Sequence, residues 1–305
     1  MSGNPAFVSD PVLSEDSHWL KAFSELTKIH LSLYIALSAV FGHVLAQNKF
    51  SMGSLGLGFF VLILTAGSAI FNHIQDRRFD PWFARTRNRC LVQKRITPST
   101  AGFFATALVL TGLGGLFFCF PCSGSAGLGL LALYCYNALY TPLKKISLVA
   151  IVPGALCGML PPAIGWAAVP RSMAVADVTG LFIVLVVFGV WQISHFFIIL
   201  LKQLPGEVEA APFPSFLRIF SRREIKGQIL IWTSLYSLGV LLFLLKGWIH
   251  SPGLSLVLGG VSLVLPLLMA AILGRKQNAS SISLCFFAIN LSMLFFMGAG
   301  ILDRI

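Results

Sequence analysis

Nine apolar stretches dominate this chain, at about 24–46, 54–74, 99–119, 124–141, 148–168, 177–200, 227–246, 253–273 and 281–302. Each is close to the roughly 20 residues that an α-helix needs to cross the hydrocarbon core of a bilayer. In lipid every backbone polar group must be satisfied within the protein, and helices do this segment by segment. The expected fold is an all-α integral membrane protein: a nine-transmembrane-helix bundle with residues 1–20 as a polar tail and 21–305 as a single membrane domain. A hydrophobic fraction of 56% against a charged fraction of 11% excludes an ordinary soluble domain.

The net charge of +11 would suit nucleic acid in a soluble protein, but here the basic residues are sorted by side. Counting alternate loops, all of the 22 Lys and Arg except Lys49, Arg171, Lys246 and Arg304 fall on one face. The positive-inside rule then places the N-terminus and the two longest loops, after the second and sixth stretches, in the cytoplasm and the C-terminus outside. A multi-pass protein of a bacterial cytoplasmic (inner) membrane follows, with the lipid bilayer as a partner and no nucleic acid. The first twenty residues carry Asp10, Glu15 and Asp16 and lack a basic region before an apolar core, so they read as a tail and not as a cleaved signal. Cys119-Phe120-Pro121-Cys122 falls on the outer side without a thioredoxin-like context, and unpaired loop cysteines are expected there.

The densest polar feature is Asn72-His73-Ile74-Gln75-Asp76-Arg77-Arg78-Phe79-Asp80, followed by Arg85-Thr86-Arg87-Asn88-Arg89, at the cytoplasmic mouth of the second stretch. If the second helix runs on to Asp80, then Asn72, Asp76 and Asp80 drift by only about 40° per four residues and share one face. Pro81 disfavours helix at the preceding residue and marks the end. Two carboxylates at a helix C-terminus oppose its dipole unless a cation compensates. Arg77 and Arg78 could be that cation, in an ion-pair cluster that anchors the helix end. Alternatively the cation is Mg²⁺, which takes one or two carboxylates together with substrate phosphate oxygens, with Arg85, Arg87, Arg89, Lys94 and Arg95 available to the remaining phosphate charge.

The spacing Asn72-x3-Asp76-x3-Asp80 with the arginines behind it resembles the first aspartate-rich motif of the UbiA-type intramembrane prenyltransferases. Within them, Tyr140-Thr141-Pro142-Leu143-Lys144-Lys145-Ile146-Ser147, Leu160-Pro161-Pro162-Ala163-Ile164-Gly165-Trp166 and Trp191-Gln192-x2-His195-Phe196 are most similar to the protoheme IX farnesyltransferases, or heme O synthases. The resemblance implies transfer of a farnesyl group from farnesyl diphosphate to a vinyl group of heme b, with heme b a substrate and Mg²⁺ the cofactor. Heme A synthase and cytochrome oxidase assembly proteins are the partners it would imply.

Carried over residue by residue, Asn72, Asp76, Asp80 and Glu207 become metal ligands, and Asp76, Asp80, Tyr140 and Lys144 the catalytic set. Arg85, Arg89 and Lys145 become diphosphate contacts. Trp191 and the intramembrane His195 become heme contacts, a neutral imidazole being able to meet iron or a propionate. His30 is a further candidate for that role, and His43 reads as structural. The second acidic motif departs from the family pattern: Glu207-Val208-Glu209-Ala210-Ala211-Pro212-Phe213-Pro214 stands where an Asp-Tyr run is usual, so Glu207 alone can replace the aspartate. His73 and Ile29-His30 are departures as well. Two alternatives stay open: a prenyltransferase with another acceptor, such as a quinone precursor or another tetrapyrrole, and a non-catalytic relative that binds heme or lipid.

Overall fold

A computed structural model describes residues 22–121, 124–170, 178–203, 205–210, 213–274 and 279–305. The expected tail at 1–20 and Cys122 lie outside the described residues. Among the described residues after Lys28 there are ten α-helices longer than one turn: α1 (Ile29–Gln47), α2 (Met52–Asp76), α3 (Pro98–Cys119), α4 (Ser125–Leu133), α5 (Ile151–Ala167), α6 (Val178–Leu201), α7 (Pro205–Ala210), α8 (Arg222–Leu245), α9 (Pro252–Gly274) and α10 (Ala279–Leu302).

Eight uninterrupted helical segments among the described residues are long and apolar enough to cross a membrane: α1, α2, α3, α5 with its preceding turn, α6, α8, α9 and α10. The stretch expected at 124–141 is helical but not uniform: α4 gives way to a π-helix over Tyr134–Tyr140 and then a last α-turn at Thr141–Leu143. Nine apolar stretches thus fold, among the described residues, as eight helices long and apolar enough to cross a membrane and one interrupted helical segment. The wide turns are pinned by Asn137, whose Nδ2 donates to the Ser68 carbonyl at 3.0 Å while the Ser68 hydroxyl donates to its Oδ1 at 2.6 Å. The Gln75 amide also donates to the Asn137 carbonyl at 2.9 Å.

Local chemistry sets the ends. Ser51 and Ser54 cap α2 reciprocally, Thr97 followed by Pro98 starts α3, and Ser221 with Glu224 forms a capping box on α8. Sequential helices pack side by side, α6 meets α8, and α10 returns to α1, so the bundle closes on itself with α1 also against α5. Phe41, Phe188, Phe243 and Phe296 fill the centre of one half, while Phe103, Phe118, Leu256 and Leu267 are exposed on the outer surface, as lipid-facing residues are.

Helix approach in lipid depends on small residues. At the α1–α5 crossing a Cβ on Gly165 would land on the Ala39 carbonyl oxygen and one on Gly42 on that of Pro162. Of the glycines on α3 and α4, a Cβ on Gly112 or Gly115 would run into Leu64 or Phe60 of α2, whereas one on Gly114 or Gly127 would meet nothing within 4 Å.

Candidate active site

One cavity of about 870 Å³ opens at the end of the bundle where α1 begins and α2 ends. Its wall carries Lys28, Arg85, Arg89, Lys144 and Lys145 against Glu25, Asp76 and Asp80, so cations outnumber carboxylates. Much of the remaining lining is apolar and aromatic, with Phe79, Phe83, Tyr136, Tyr140, Ile151, Phe196, Leu200, Phe213 and Phe216. A lining that joins surplus positive charge to aromatic and aliphatic surface suits a ligand with an anionic head and an apolar tail.

Asn72 and Asp76 sit in the last turns of α2, both buried. The Asn72 amide donates from Nδ2 to Asp76 Oδ2 and to Thr141 Oγ1, each at 3.0 Å, which directs its Oδ1 to the Lys28 ammonium at 2.8 Å. Lys144 donates to Asp76 Oδ2 at 2.6 Å. Lys145 stands 3.0 Å from Asp76 Oδ1, yet that oxygen is buried and takes part in no aligned hydrogen bond.

Helix α2 ends at Asp76, one turn earlier than expected. Phe79 N–H closes a short turn on the Asp76 carbonyl at 2.7 Å, and Asp80-Pro81-Trp82 forms a 3₁₀ turn because Pro81 has no N–H with which to continue an α-helix. Asp80 is therefore off the helix face and instead receives Arg89 Nη1 on both carboxylate oxygens at 2.9 Å. Burial pushes the Asp80 carboxyl up from its ordinary range, with Arg89 opposing. Arg77 caps its own helix at the Ile74 carbonyl, 2.6 Å away, so the compensating cations come from Lys144, Lys145 and Arg89. Arg85 lines the cavity, and burial together with the neighbouring Arg89 lowers its guanidinium pKa.

Tyr140 stacks on Tyr136 with centroids 5.8 Å apart, and the Lys144 ammonium lies 5.4 Å from the Tyr140 ring centre. Asn72, Asp76, Asp80, Tyr140, Lys144, Lys145, Arg85 and Arg89 are thus all brought to one wall. Three expected residues are not. Glu207, on α7, accepts the backbone N–H of Ala84 at 2.8 Å and is absent from the cavity lining. The longer side chain reaches the aspartate-rich loop itself, where Phe213 also packs against Phe79 and Phe83 at 5.0 and 6.1 Å. Trp191 donates its indole N–H to the Ile289 carbonyl at 3.0 Å and stacks on Tyr34, and His195 lies between the rings of Trp191 and Phe286. Both are packed between helices and off the cavity lining, although His195 Nδ1 is buried without a partner.

Sequence reasoning missed Lys28, which it counted only for sidedness. Burial, reinforced by Arg89 and Lys144, brings its ammonium pKa down to about 7. It also noted His73 only as an oddity of the motif, and this residue lines the cavity with both ring nitrogens buried and unpartnered. Its place between Asn72 and Asp76 was the available signal.

Among the described residues no three His, Cys, Asp or Glu side chains converge as a metal centre. The donors present are hard oxygens, the Asn72 amide and the Asp76 and Asp80 carboxylates, and Asp76 Oδ1 is a buried acceptor without an aligned donor. That set fits a divalent cation that completes its shell with ligand phosphate oxygens, not one held by protein alone.

The description "UbiA prenyltransferase family" matches residues 17–296 of this chain. A protein named protoheme IX farnesyltransferase from Oleidesulfovibrio alaskensis is 28% identical over 94% of this chain and 97% of its own. One of the same name from Bacillus licheniformis is 30% identical over 92% and 90%. The solved structure of a UbiA homolog from Archaeoglobus fulgidus bound to DMAPP and Mg²⁺ superposes with a TM-score of 0.68 at 13% identity, covering 92% of this chain and 98% of that one.

Proposed function

This chain belongs to the UbiA prenyltransferase family and is a multi-pass membrane prenyltransferase, and on that premise we propose that it transfers a farnesyl group from farnesyl diphosphate to a vinyl carbon of heme b, making heme O. The observation that carries the reading is the cavity lining itself: an amide oxygen and a carboxylate at the end of α2 and a second carboxylate just beyond it, together with five cations and a set of aromatic rings. The names of the relatives at about 30% identity favour heme b as acceptor.

Asn72, Asp76 and Asp80 would hold Mg²⁺, which supplies charge neutralisation for the leaving diphosphate. Arg85, Lys144 and Lys145 bind the phosphate oxygens and stabilise charge as it develops on them. Ion pairing at rest keeps Lys144 and Lys145 beside Asp76, from which both ammonium groups must turn to the phosphate oxygens when that carboxylate serves the ion. The bond between C1 of the farnesyl chain and the diphosphate oxygen breaks with its electron pair going to the oxygen. The vinyl group supplies the pair for the new carbon–carbon bond, and water adds to the resulting cation as hydroxyl with release of one proton. The Tyr136 and Tyr140 rings face an allylic cation with their electron-rich surfaces, and the apolar lining limits its capture by water.

The interrupted helix from Ser125 to Leu143 serves as the ninth crossing in this reading, with the N-terminus and cavity mouth cytoplasmic, the C-terminus outside, and the protein in a bacterial inner membrane.

Purified protein incubated with heme b, farnesyl diphosphate and Mg²⁺ should yield a hydroxyethylfarnesyl heme by mass spectrometry. Farnesylation of a quinone precursor but not of heme b would overturn the acceptor assignment, and no prenyl transfer to any acceptor would overturn the whole proposal.

A further inference from the structure

We infer that Lys28 is a placeholder cation: its ammonium occupies the Asn72 amide oxygen while the divalent ion is away and moves onto the diphosphate when the ion binds. The inference rests on the diphosphate and metal reading of the cavity.

Two independent observations carry it. The first is the aim of the Asn72 side chain. With Nδ2 engaged by Asp76 and Thr141, Oδ1 cannot turn away, and it meets Lys28 Nζ at 2.8 Å in a partly buried setting. A magnesium ion on that oxygen would sit at about 2.0–2.1 Å, and an ammonium at hydrogen-bond distance from the same atom would then be held within a few ångströms of a double positive charge. One of the two must leave.

The second is the backbone of Lys28. Its φ of 46° and ψ of 50° put it in the left-handed region, which a lysine adopts only under constraint. The conformation is locked from both sides: Lys28 N–H bonds the Glu25 carbonyl at 3.2 Å, and the Ser32 N–H bonds the Lys28 carbonyl at 3.0 Å. A glycine would sit there without strain, and the side chain that the strained backbone carries instead is the one that reaches Asn72.

The lysine stem has the freedom to swing, and the vacated ammonium finds phosphate oxygens in the same cavity. Metal alone must therefore displace a resident cation without compensation, whereas metal arriving with diphosphate gives that cation a new partner. Lys28 is a positioning residue that couples the two ligands, and the coupling is reciprocal.

The test is Mn²⁺ binding to the detergent-solubilised full chain by equilibrium dialysis, with and without inorganic pyrophosphate and corrected for the Mn²⁺–pyrophosphate complex in solution. In wild type, pyrophosphate should tighten Mn²⁺ binding. In Lys28→Met and Lys28→Gly, Mn²⁺ alone should bind about tenfold more tightly and the pyrophosphate enhancement should shrink by a similar factor, as expected on removing a close positive charge. Lys28→Arg should keep the wild-type pattern. The glycine variant relieves the backbone and guards against a mere folding defect. Wild type that responds to pyrophosphate while both uncharged variants match its Mn²⁺ affinity would overturn the placeholder role alone. Wild type that takes up no Mn²⁺ even with pyrophosphate would overturn the metal reading beneath it as well.

Discussion

The carboxylate of Glu207 accepts the backbone N–H of Ala84 at 2.8 Å, joining the loop after α6 to the loop after α2. A residue that the sequence suggests as a metal ligand thus acts on the other loop's backbone, beside the Phe213 ring that wedges against Phe79 and Phe83. Glu207→Gln keeps an oxygen acceptor and should hold product formation within about threefold of wild type, since one neutral hydrogen bond replaces a charged one. Glu207→Ala should lower it about tenfold through loss of loop positioning, with faster hydrogen exchange in residues 79–89. Equal losses in the two variants would argue for a metal ligand and against a clasp.

Asp76 carries structure and chemistry together, because it is the counter-ion of Lys144 and Lys145. Asp76→Ala should cost at least about 100-fold in product formation, the scale of a lost charge-stabilising group. It should also cost about 2 kcal/mol of stability by leaving partly buried lysines unpaired. Adding Lys144→Met should recover part of the thermal stability and none of the activity. Full activity in Asp76→Ala would remove this wall from the reaction.

Thiol labelling checks the sidedness. Cys119 is exposed at the far end of α3, while Cys90 is buried, with burial and then Glu25 raising its thiol pKa to about 11. At pH 8 about one Cys90 thiol in a thousand is ionised, and the thiolate is the reactive form. In a Cys122→Ser background, an impermeant maleimide applied from the outer face of intact cells should label Cys119 and leave Cys90 unmodified until the protein is denatured. Labelling of Cys119 only from the cytoplasmic face of inverted vesicles would reverse the orientation.

At the opposite end of the bundle Asp303 accepts the His250 and Ser251 backbone N–H groups at 2.8 and 2.7 Å and faces Arg304 at 3.3 Å. Arg304 in turn donates to the Trp248 and Gly300 carbonyls and to Asn48. Asp303→Ala should destabilise by about 2–3 kcal/mol, as the loss of two hydrogen bonds and a buried counter-ion implies. Its activity at low temperature should be retained, and thermal unfolding in detergent reads the difference. An unchanged midpoint would show that the clasp contributes nothing.

The bundle was legible because lipid imposes one rule on every segment, and apolar length is a one-dimensional property. The aspartate wall was legible because Asn72 and Asp76 are four residues apart on one helix, and because the basic run follows within the reach of a short loop. Asp80 was misplaced on a helix face because Pro81 ends the helix one turn further back than its own position suggests. Lys28 was missed because a lysine beside an apolar stretch looks the same whether it anchors the helix or fills a site, and only the folded chain brings it to Asn72, 44 residues away. Trp191 and His195 fail to reach the cavity lining for the converse reason: the rotation of a helix between neighbours is set by packing partners such as Tyr34 and Phe286, which no spacing along α6 reveals.

The π-helical turns of Tyr134–Tyr140 set the phase of everything that follows them. A π-turn holds one residue more than an α-turn over the same path. Winding the same seven residues as an ordinary α-helix, with none removed, would add one residue's rotation and turn Thr141, Lys144 and Lys145 by about 100° away from Asn72 and Asp76. The active wall of this enzyme therefore depends on a local widening of the helix as much as on side-chain identity. A chain with every named residue present and those turns tightened would be assembled in full and out of register.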